Sequence, residues 1–313
     1  MSAWHSADSN ALISCSHPTY YADRLRIRTP KDASFALGPH IDGGSVERWE
    51  DNGYGAGHVY DKIFEGHWEQ YDPWESSCRI HAESDLYGGA GNCSMFRMFQ
   101  GWLSMSETAP GEGTLMVNPI LSLSTAYTLL RPFFSPRTER IHLDKKNFLD
   151  KSNWVLQSPC TSELQGANPG NGQELSDALH PHLELNDTMV HVPKINPGDY
   201  VAWHCDTIHA VDNVHNGTTD SSVMYIPVCP LTEPNAQYLA RQRDAFLRGV
   251  PGPDFPGGKG ESEHIGRPSD KLVREFCSTE SLQAFGLRRW EESKGLTSIE
   301  AKMIRSSNKI LGF

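Results

Sequence analysis

Short runs in which apolar and polar residues alternate recur along the chain between turn-forming residues. This two-residue period is that of half-buried strands. It predicts strands over Leu25–Arg28, Phe35–Asp42, Ser94–Ser104, Thr114–Val117, Met189–Val192, Tyr200–Trp203, Ile208–Val211 and Val223–Val228. Pro197-Gly198-Asp199 is a turn that launches the strand at Tyr200. Helical periodicity is sparser. One helix is expected from an N-cap at Asn235 to Arg248, stopped by Gly249. Another opens on the capping box Thr297-x-x-Glu300 and continues through Met303 and Ile304. Two stretches read as insertions. Ser45–Asn92, rich in Trp, Tyr and Gly, covers the core or walls a pocket, and Gly249–Pro268 is a loop. Gly88-Gly89-Ala90-Gly91 reads as a turn.

The predicted elements describe a mainly β chain with flanking helices. A length of 313 residues allows two domains or one decorated barrel. The expectation is one domain over 1–313, with an inserted segment 45–92 and a helical C-terminal region 235–313. Hydrophobic residues make up 38% of the chain, enough for a substantial core. With 28 basic against 39 acidic residues the net charge is −11 and no Lys/Arg cluster appears, which disfavours nucleic acid as a partner. No apolar run approaches a membrane span, and Met1–Ser16 has neither a basic start nor an apolar stretch. Seven scattered cysteines without a C-x-x-C pair fit free thiols in a reducing compartment. A cytoplasmic protein that acts on a small molecule, away from membranes, is expected; its oligomeric state is not legible.

His40-Ile41-Asp42 is the first candidate for chemistry. Residues two apart on a strand face the same way, so an imidazole and a carboxylate can reach one ion. The spacing alone has little weight, because His204-Cys205-Asp206 repeats it and His81-Ala82-Glu83 is a formal third. The first is favoured because Gly43-Gly44 follows it, allowing another backbone or a ligand to approach closely. A second imidazole arrives from the strand opening Ile208-His209. Two His and one carboxylate on one face of an octahedron leave positions open, the arrangement of non-haem Fe(II) oxygenases. His40, Asp42 and His209 are therefore the expected metal ligands and catalytic residues, with His204 and Asp206 as hydrogen-bonding support.

The run Leu37-Gly38-Pro39-His40-Ile41-Asp42-Gly43-Gly44-Ser45-Val46-Glu47-Arg48-Trp49 resembles the YbiU-like family of iron- and 2-oxoglutarate-dependent oxygenases, long classed as a domain of unknown function. So do Tyr71–Trp74, Phe96–Trp102, Trp203–His209 and Met224–Pro227. The resemblance implies a double-stranded β-helix (jelly roll, cupin-like), with the iron ligands on His40, Asp42 and His209. It also implies Fe(II), 2-oxoglutarate and O2 as cofactor and co-substrates. Only 39 residues precede His40, fewer than the family usually has, so either the flanking helices are reduced or the chain is a shortened version.

Many such enzymes bind the far carboxylate of 2-oxoglutarate with an Arg ten to fourteen residues beyond the second His. Thr219–Val223 contains none, and the next is Arg241. Arg97, in the alternating segment Ser94–Ser104, is the expected substitute, with Thr114 adding a hydroxyl; Arg79 and Arg131 are weaker options. Trp102, Gln100, Tyr225 and Asn213 are candidate pocket residues. The expected reaction is oxidation of a C–H bond in a small molecule such as an amino acid, by hydroxylation, desaturation or ring closure. The alternatives are a cupin-type metal hydrolase or isomerase, and a non-catalytic binding barrel.

Overall fold

A computed structural model describes residues 3–34, 36–89, 92–255 and 257–313. Its strands, in chain order, are β1 (Ile13–Thr19), β2 (Leu25–Arg28), β3 (His40–Ile41), β4 (Phe99–Ser104), β5 (Leu115–Val117), β6 (Phe134–Pro136), β7 (Trp154–Leu156), β8 (Gln173–Glu174), β9 (Val190–His191), β10 (Tyr200–His204), β11 (His209–Val211), β12 (Ser221–Tyr225) and β13 (Cys229–Thr232). The longest helices are α1 (Leu121–Leu130), α2 (Glu233–Arg248) and α3 (Ser298–Ile310). The chain is thus a mixture of helices and antiparallel sheets, without a closed barrel.

Two sheets build the centre. One has the order β10-β4-β12-β2 and the other β8-β3-β11-β5-β9. Alternation dictates which side chains meet between them. Gln100, Trp102 and Ser104 of β4 are buried, and so is Trp203 of β10, which pairs with Gln100. Trp102, Leu115, Ile195 and Trp203 form the apolar core shared by the sheets. Behind the other sheet, Ile41 and Ile208 pack with Leu175, Leu183 and Leu185.

The strand expectations hold at Leu25–Arg28 and, within a residue or two, at β5, β9, β10 and β11. Three are shorter than expected. Of Phe35–Asp42 only His40–Ile41 pairs, because Gly38-Pro39 interrupts the extended backbone and Asp42 is past the strand end; Phe35 lies outside the described residues. Ser94–Ser104 contracts to Phe99–Ser104, so Arg97 precedes the strand rather than lying in it. Val223–Val228 becomes Ser221–Tyr225, ending before Pro227, which has no N–H for a ladder.

The C-terminal helices pack on β13 through Leu231, Leu239, Trp290, Met303 and Ile304. Gly249 stops α2 in the left-handed conformation (φ 72°), and Thr297 and Glu300 form the expected capping box of α3. The N-cap of α2 is Thr232 rather than Asn235: Pro234 is accommodated in the first turn, and the Thr232 hydroxyl accepts from the Asn235 N–H. Buried Asn235 instead bonds Phe96 and Pro230. The described residues from Ser45 to Gly89 form short helices and connecting turns, from which Tyr54, Tyr60, Ile63 and Tyr71 pack with Ala126 and Leu129 of α1. In Gly249–Pro268 the buried Asp254 accepts from Tyr21 and Ser94. Ala90 and Gly91 of the expected glycine-rich turn lie outside the described residues. No helix among those described is long and apolar enough to cross a membrane.

Candidate metal centre

Strand register brings the first histidines together. His209 of β11 is directly opposite His40 of β3, and side chains of an antiparallel pair lie on the same face. Their ring centroids are 4.2 Å apart. Asp42 completes the group: its carboxylate lies 3.6 Å from His40 Nε2 and 3.4 Å from His209 Nε2. One ligand atom from each residue lies within 4.8 Å of the others.

The tautomers are set by local backbone. His40 Nδ1 is 2.7 Å from the Gly38 carbonyl and His209 Nδ1 is 3.0 Å from that of Thr207. Each Nδ1–H thereby donates to a carbonyl two residues upstream, leaving both Nε2 lone pairs directed at one point, as metal-binding imidazoles require. Burial and the neighbouring His209 hold His40 below the ordinary imidazole range, partly offset by Asp42. Enclosure by the cavity works to raise the Asp42 carboxyl, but His209, Arg97 and His40 together pull it below the usual carboxylate range. Arg97 lies 4.0 Å from Asp42.

The glycines after Asp42 have the anticipated purpose. Gly43 and Gly44 have φ of 85° and 74°, and a Cβ on Gly44 would lie 2.3 Å from the Ser84 carbonyl oxygen. Buried Arg48 clamps this turn by donating to the carbonyls of Gly44 and Asp42 at 2.6 and 2.8 Å.

The group opens into a cavity of about 650 Å³ between the sheets. Gln100, Trp102, Thr114, Trp203 and Tyr225 line it, together with Arg26 and Arg97. Several of its polar atoms have no hydrogen-bond partner: both ends of the Gln100 carboxamide, the Thr114 hydroxyl and the Trp203 indole N–H. A buried polar group left unmet costs about 1–3 kcal/mol, and these four atoms all belong to residues that line the one cavity. The Thr114 backbone is held from behind, since Asp212 accepts from the N–H groups of Gly113 and Thr114 and pairs with His191 at 2.6 Å.

Arg26 was missed by sequence reasoning. It stands opposite Val223 on the neighbouring strand, at the level where an Arg was sought in Thr219–Val223, and its guanidinium donates to the Tyr225 hydroxyl at 3.3 Å. The clue was the alternation Leu25-Arg26-Ile27-Arg28, which turns both arginines inward.

The other candidates fall elsewhere. Asp206 accepts from Tyr60, Tyr71 and Arg79 at 3.0, 3.0 and 2.5 Å, all buried. His204 donates through Nε2 to the Pro73 carbonyl, accepts the Asp206 N–H at Nδ1 and stacks on Trp4. The second triplet is therefore a buried structural network in which both His204 nitrogens and both Asp206 oxygens are already engaged, and Arg79 belongs to it. Arg131 bonds the carbonyls of Leu179 and Phe134, away from the cavity. His81 and Glu83 are exposed on a turn, and Asn213 is exposed outside the cavity.

Residues 1–287 match the model of the Gig2-like family. The chain belongs to the Gig2-like family. It is 36% identical over 247 residues to the uncharacterized protein YbiU of Escherichia coli K12, covering 79% of this chain and 52% of YbiU, which bears out the resemblance read from the motifs. Among solved Gig2-like neighbours, GlcNAc Inducible Gene 2 from Candida albicans superposes with a TM-score of 0.83 at 35% identity, over 99% of this chain and 66% of that one. A Salmonella typhimurium LT2 protein described as a "Putative Oxidoreductase" gives 0.73 at 33%, over 90% and 61%. The chain thus spans about half the length of YbiU and less than two thirds of the solved neighbours.

Proposed function

We propose that this Gig2-like protein is a non-haem Fe(II)- and 2-oxoglutarate-dependent oxygenase that oxidises a C–H bond of a small molecule. In this reading its two central sheets are the halves of a double-stranded β-helix, and residues 1–313 form one catalytic domain. One observation carries the proposal: the cross-strand pair His40–His209 converges with Asp42 on the wall of a cavity lined by unpartnered polar atoms. A closed structural zinc site takes four protein ligands, whereas this group has three. Three ligands from one side leave an ion positions for a chelating co-substrate and O2.

The donor set fits the group. Iron bound here would couple the oxidative decarboxylation of 2-oxoglutarate, to succinate and CO2, to a two-electron oxidation of the substrate, the second oxygen atom of O2 entering the product in hydroxylation and leaving as water in desaturation or ring closure. The chain's own contribution is positional. His40 and His209 offer Nε2, their orientation fixed by the carbonyls of Gly38 and Thr207. Asp42 offers the carboxylate, on a turn fixed by Gly44 and Arg48. We assign the far carboxylate of 2-oxoglutarate to Arg26 in place of Arg97, because Arg26 lies level with the missing post-histidine Arg and has Tyr225 beside it. The free hydroxyl of Thr114 completes that pocket, and Gln100 and Trp203 present unmet donors and an acceptor closer to the imidazoles. Trp102, Leu115 and Ile195 keep bulk water out.

The test is co-substrate turnover. Iron-loaded protein should release succinate from 2-oxoglutarate only in the presence of O2, and Asp42→Asn and His209→Ala should not. Metal-dependent turnover of a substrate without O2 would indicate a hydrolase or isomerase instead, and absence of metal binding a non-catalytic barrel.

A further inference from the structure

Arg97 has no hydrogen-bond partner among the described residues. Its side chain is only 12% exposed and lines the cavity, and its guanidinium lies 4.0 Å from Asp42. Burial opposes its charge, but the Cys93 thiol, Asp42, Tyr21 and Asp23 around it favour the cation. A buried guanidinium with five donors and only one distant carboxylate is an incomplete anion site.

We propose that Arg97 binds the acid group of the primary substrate, so that the molecule oxidised here is a small organic monoanion. The inference rests on the oxygenase reading and goes beyond it by naming a substrate class. Two arguments support it.

The first is position. Arg97 precedes the start of β4, whereas Arg26 pairs with Val223, which in turn pairs with Ser104 at the other end of β4. The two arginines thus serve opposite ends of one strand. If Arg26 takes the co-substrate, Arg97 is left for another acid group, held beside the metal ligands and therefore close to the carbon that reacts.

The second is charge. The charged side chains lining the cavity are Asp23, Arg24, Arg26, Asp42 and Arg97. Asp23 and Arg24 satisfy each other at 3.1 Å. A divalent ion with Asp42, Arg26 and Arg97 carries three positive charges, and the 2-oxoglutarate dianion cancels two. One positive charge remains in the cavity between the sheets, where an opposite charge is favourably placed. A monoanionic substrate brings the site to neutrality.

The experiment uses the full chain loaded anaerobically with Fe(II) and saturated with 2-oxoglutarate. Propionate, butyrate and lactate, each beside its primary amide, are titrated by calorimetry and by their effect on the visible charge-transfer band of the iron–2-oxoglutarate complex. Wild type should bind at least one acid about 10- to 100-fold more tightly than its amide, the range of a charge-assisted pair. Arg97→Met should lose that preference while retaining Fe(II) and 2-oxoglutarate affinity, and Arg97→Lys should recover part of it. Loss of 2-oxoglutarate binding in Arg97→Met would assign Arg97 to the co-substrate, and loss of Fe(II) alone would make it a support for Asp42; either overturns the inference. So does a wild type that prefers no acid in the set. A wild type that forms no charge-transfer band at all refutes the oxygenase reading itself, and the inference falls with it.

Discussion

Asp206→Asn separates the two His-x-Asp triplets, because one is the proposed ligand set and the other a buried network of side-chain hydrogen bonds. In the network one carboxylate oxygen accepts from Tyr60 and the other from Tyr71 and Arg79, with all four residues buried. Asparagine has the same size but offers one acceptor and turns an NH2 donor toward existing donors, while Arg79 loses its counter-charge. Breaking a buried ion pair from one side costs about 3–5 kcal/mol. Unfolding entropy of roughly 2.1 cal/mol/K per residue, over 313 residues, is about 0.66 kcal/mol/K, so Tm should fall by about 5–8 °C. The assay is thermal denaturation followed by near-UV circular dichroism, with Fe(II) or Co(II) affinity measured on the same samples below the transition. Asp206→Asn should lower Tm and retain metal affinity. Asp42→Asn, whose side chain is 42% exposed and buries no partner as Asp206 does, should leave the metal-free Tm within about 2 °C and lose metal affinity. An Asp206→Asn protein with unchanged Tm and no metal binding would refute the assignment and move the centre to His204 and Asp206.

Three further outcomes are expected. Arg26→Met should raise the KM for 2-oxoglutarate by about 10- to 100-fold through loss of a charge-assisted pair, measured as succinate release; an unchanged KM would return the far carboxylate to another residue. Gly44→Ala should lower Tm and weaken metal binding together, since its Cβ collides with the Ser84 backbone and displaces the turn carrying Asp42; a variant with both properties intact would show that this turn has room. Acidification should destabilise the protein between about pH 6.5 and 4. Burial pushes His204 and His180 each down to about 4, with Asp206 partly opposing this and Arg79 reinforcing it at His204, and Arg131 reinforcing it at His180. The unfolded chain therefore takes up these protons first, and stability present above pH 6.5 is lost as pH falls toward 4. Tm measured across that interval should decline, and a flat profile would contradict the buried neutral imidazoles.

The sequence disclosed the grouping of His40, Asp42 and His209 because its signal is local on one side and strand-paired on the other. His40-Ile41-Asp42 followed by two glycines is a turn that can be read in place. Ile208-His209 opens a strand whose alternation is plain. Arg26 was hidden because its importance depends on β2 lying next to β12, a pairing between strands nearly two hundred residues apart. The exclusion of His204 and Asp206 was likewise a long-range fact, requiring Tyr60, Tyr71 and Arg79 from the inserted segment. Helix α1 escaped detection because Leu121-Ser-Leu-Ser-Thr-Ala-Tyr-Thr-Leu-Leu is rich in residues of modest helix propensity. Its Ser124 and Thr125 hydroxyls bond back to the Leu121 carbonyl, and burial against Tyr54 and Ile63 overrides local preference. Arg97 lines the cavity, but it precedes the strand in which it was expected and lies beside Asp42, a placement that depends on where Ser94–Ser104 begins to pair.

Anaerobic titration of Fe(II), then 2-oxoglutarate, into wild type and His209→Ala tests the central claim most directly. Wild type should bind one Fe(II) per chain and develop a visible charge-transfer band on adding 2-oxoglutarate, with both lost in His209→Ala. Iron bound equally by the two proteins, or a wild type whose spectrum is indifferent to 2-oxoglutarate, would contradict it.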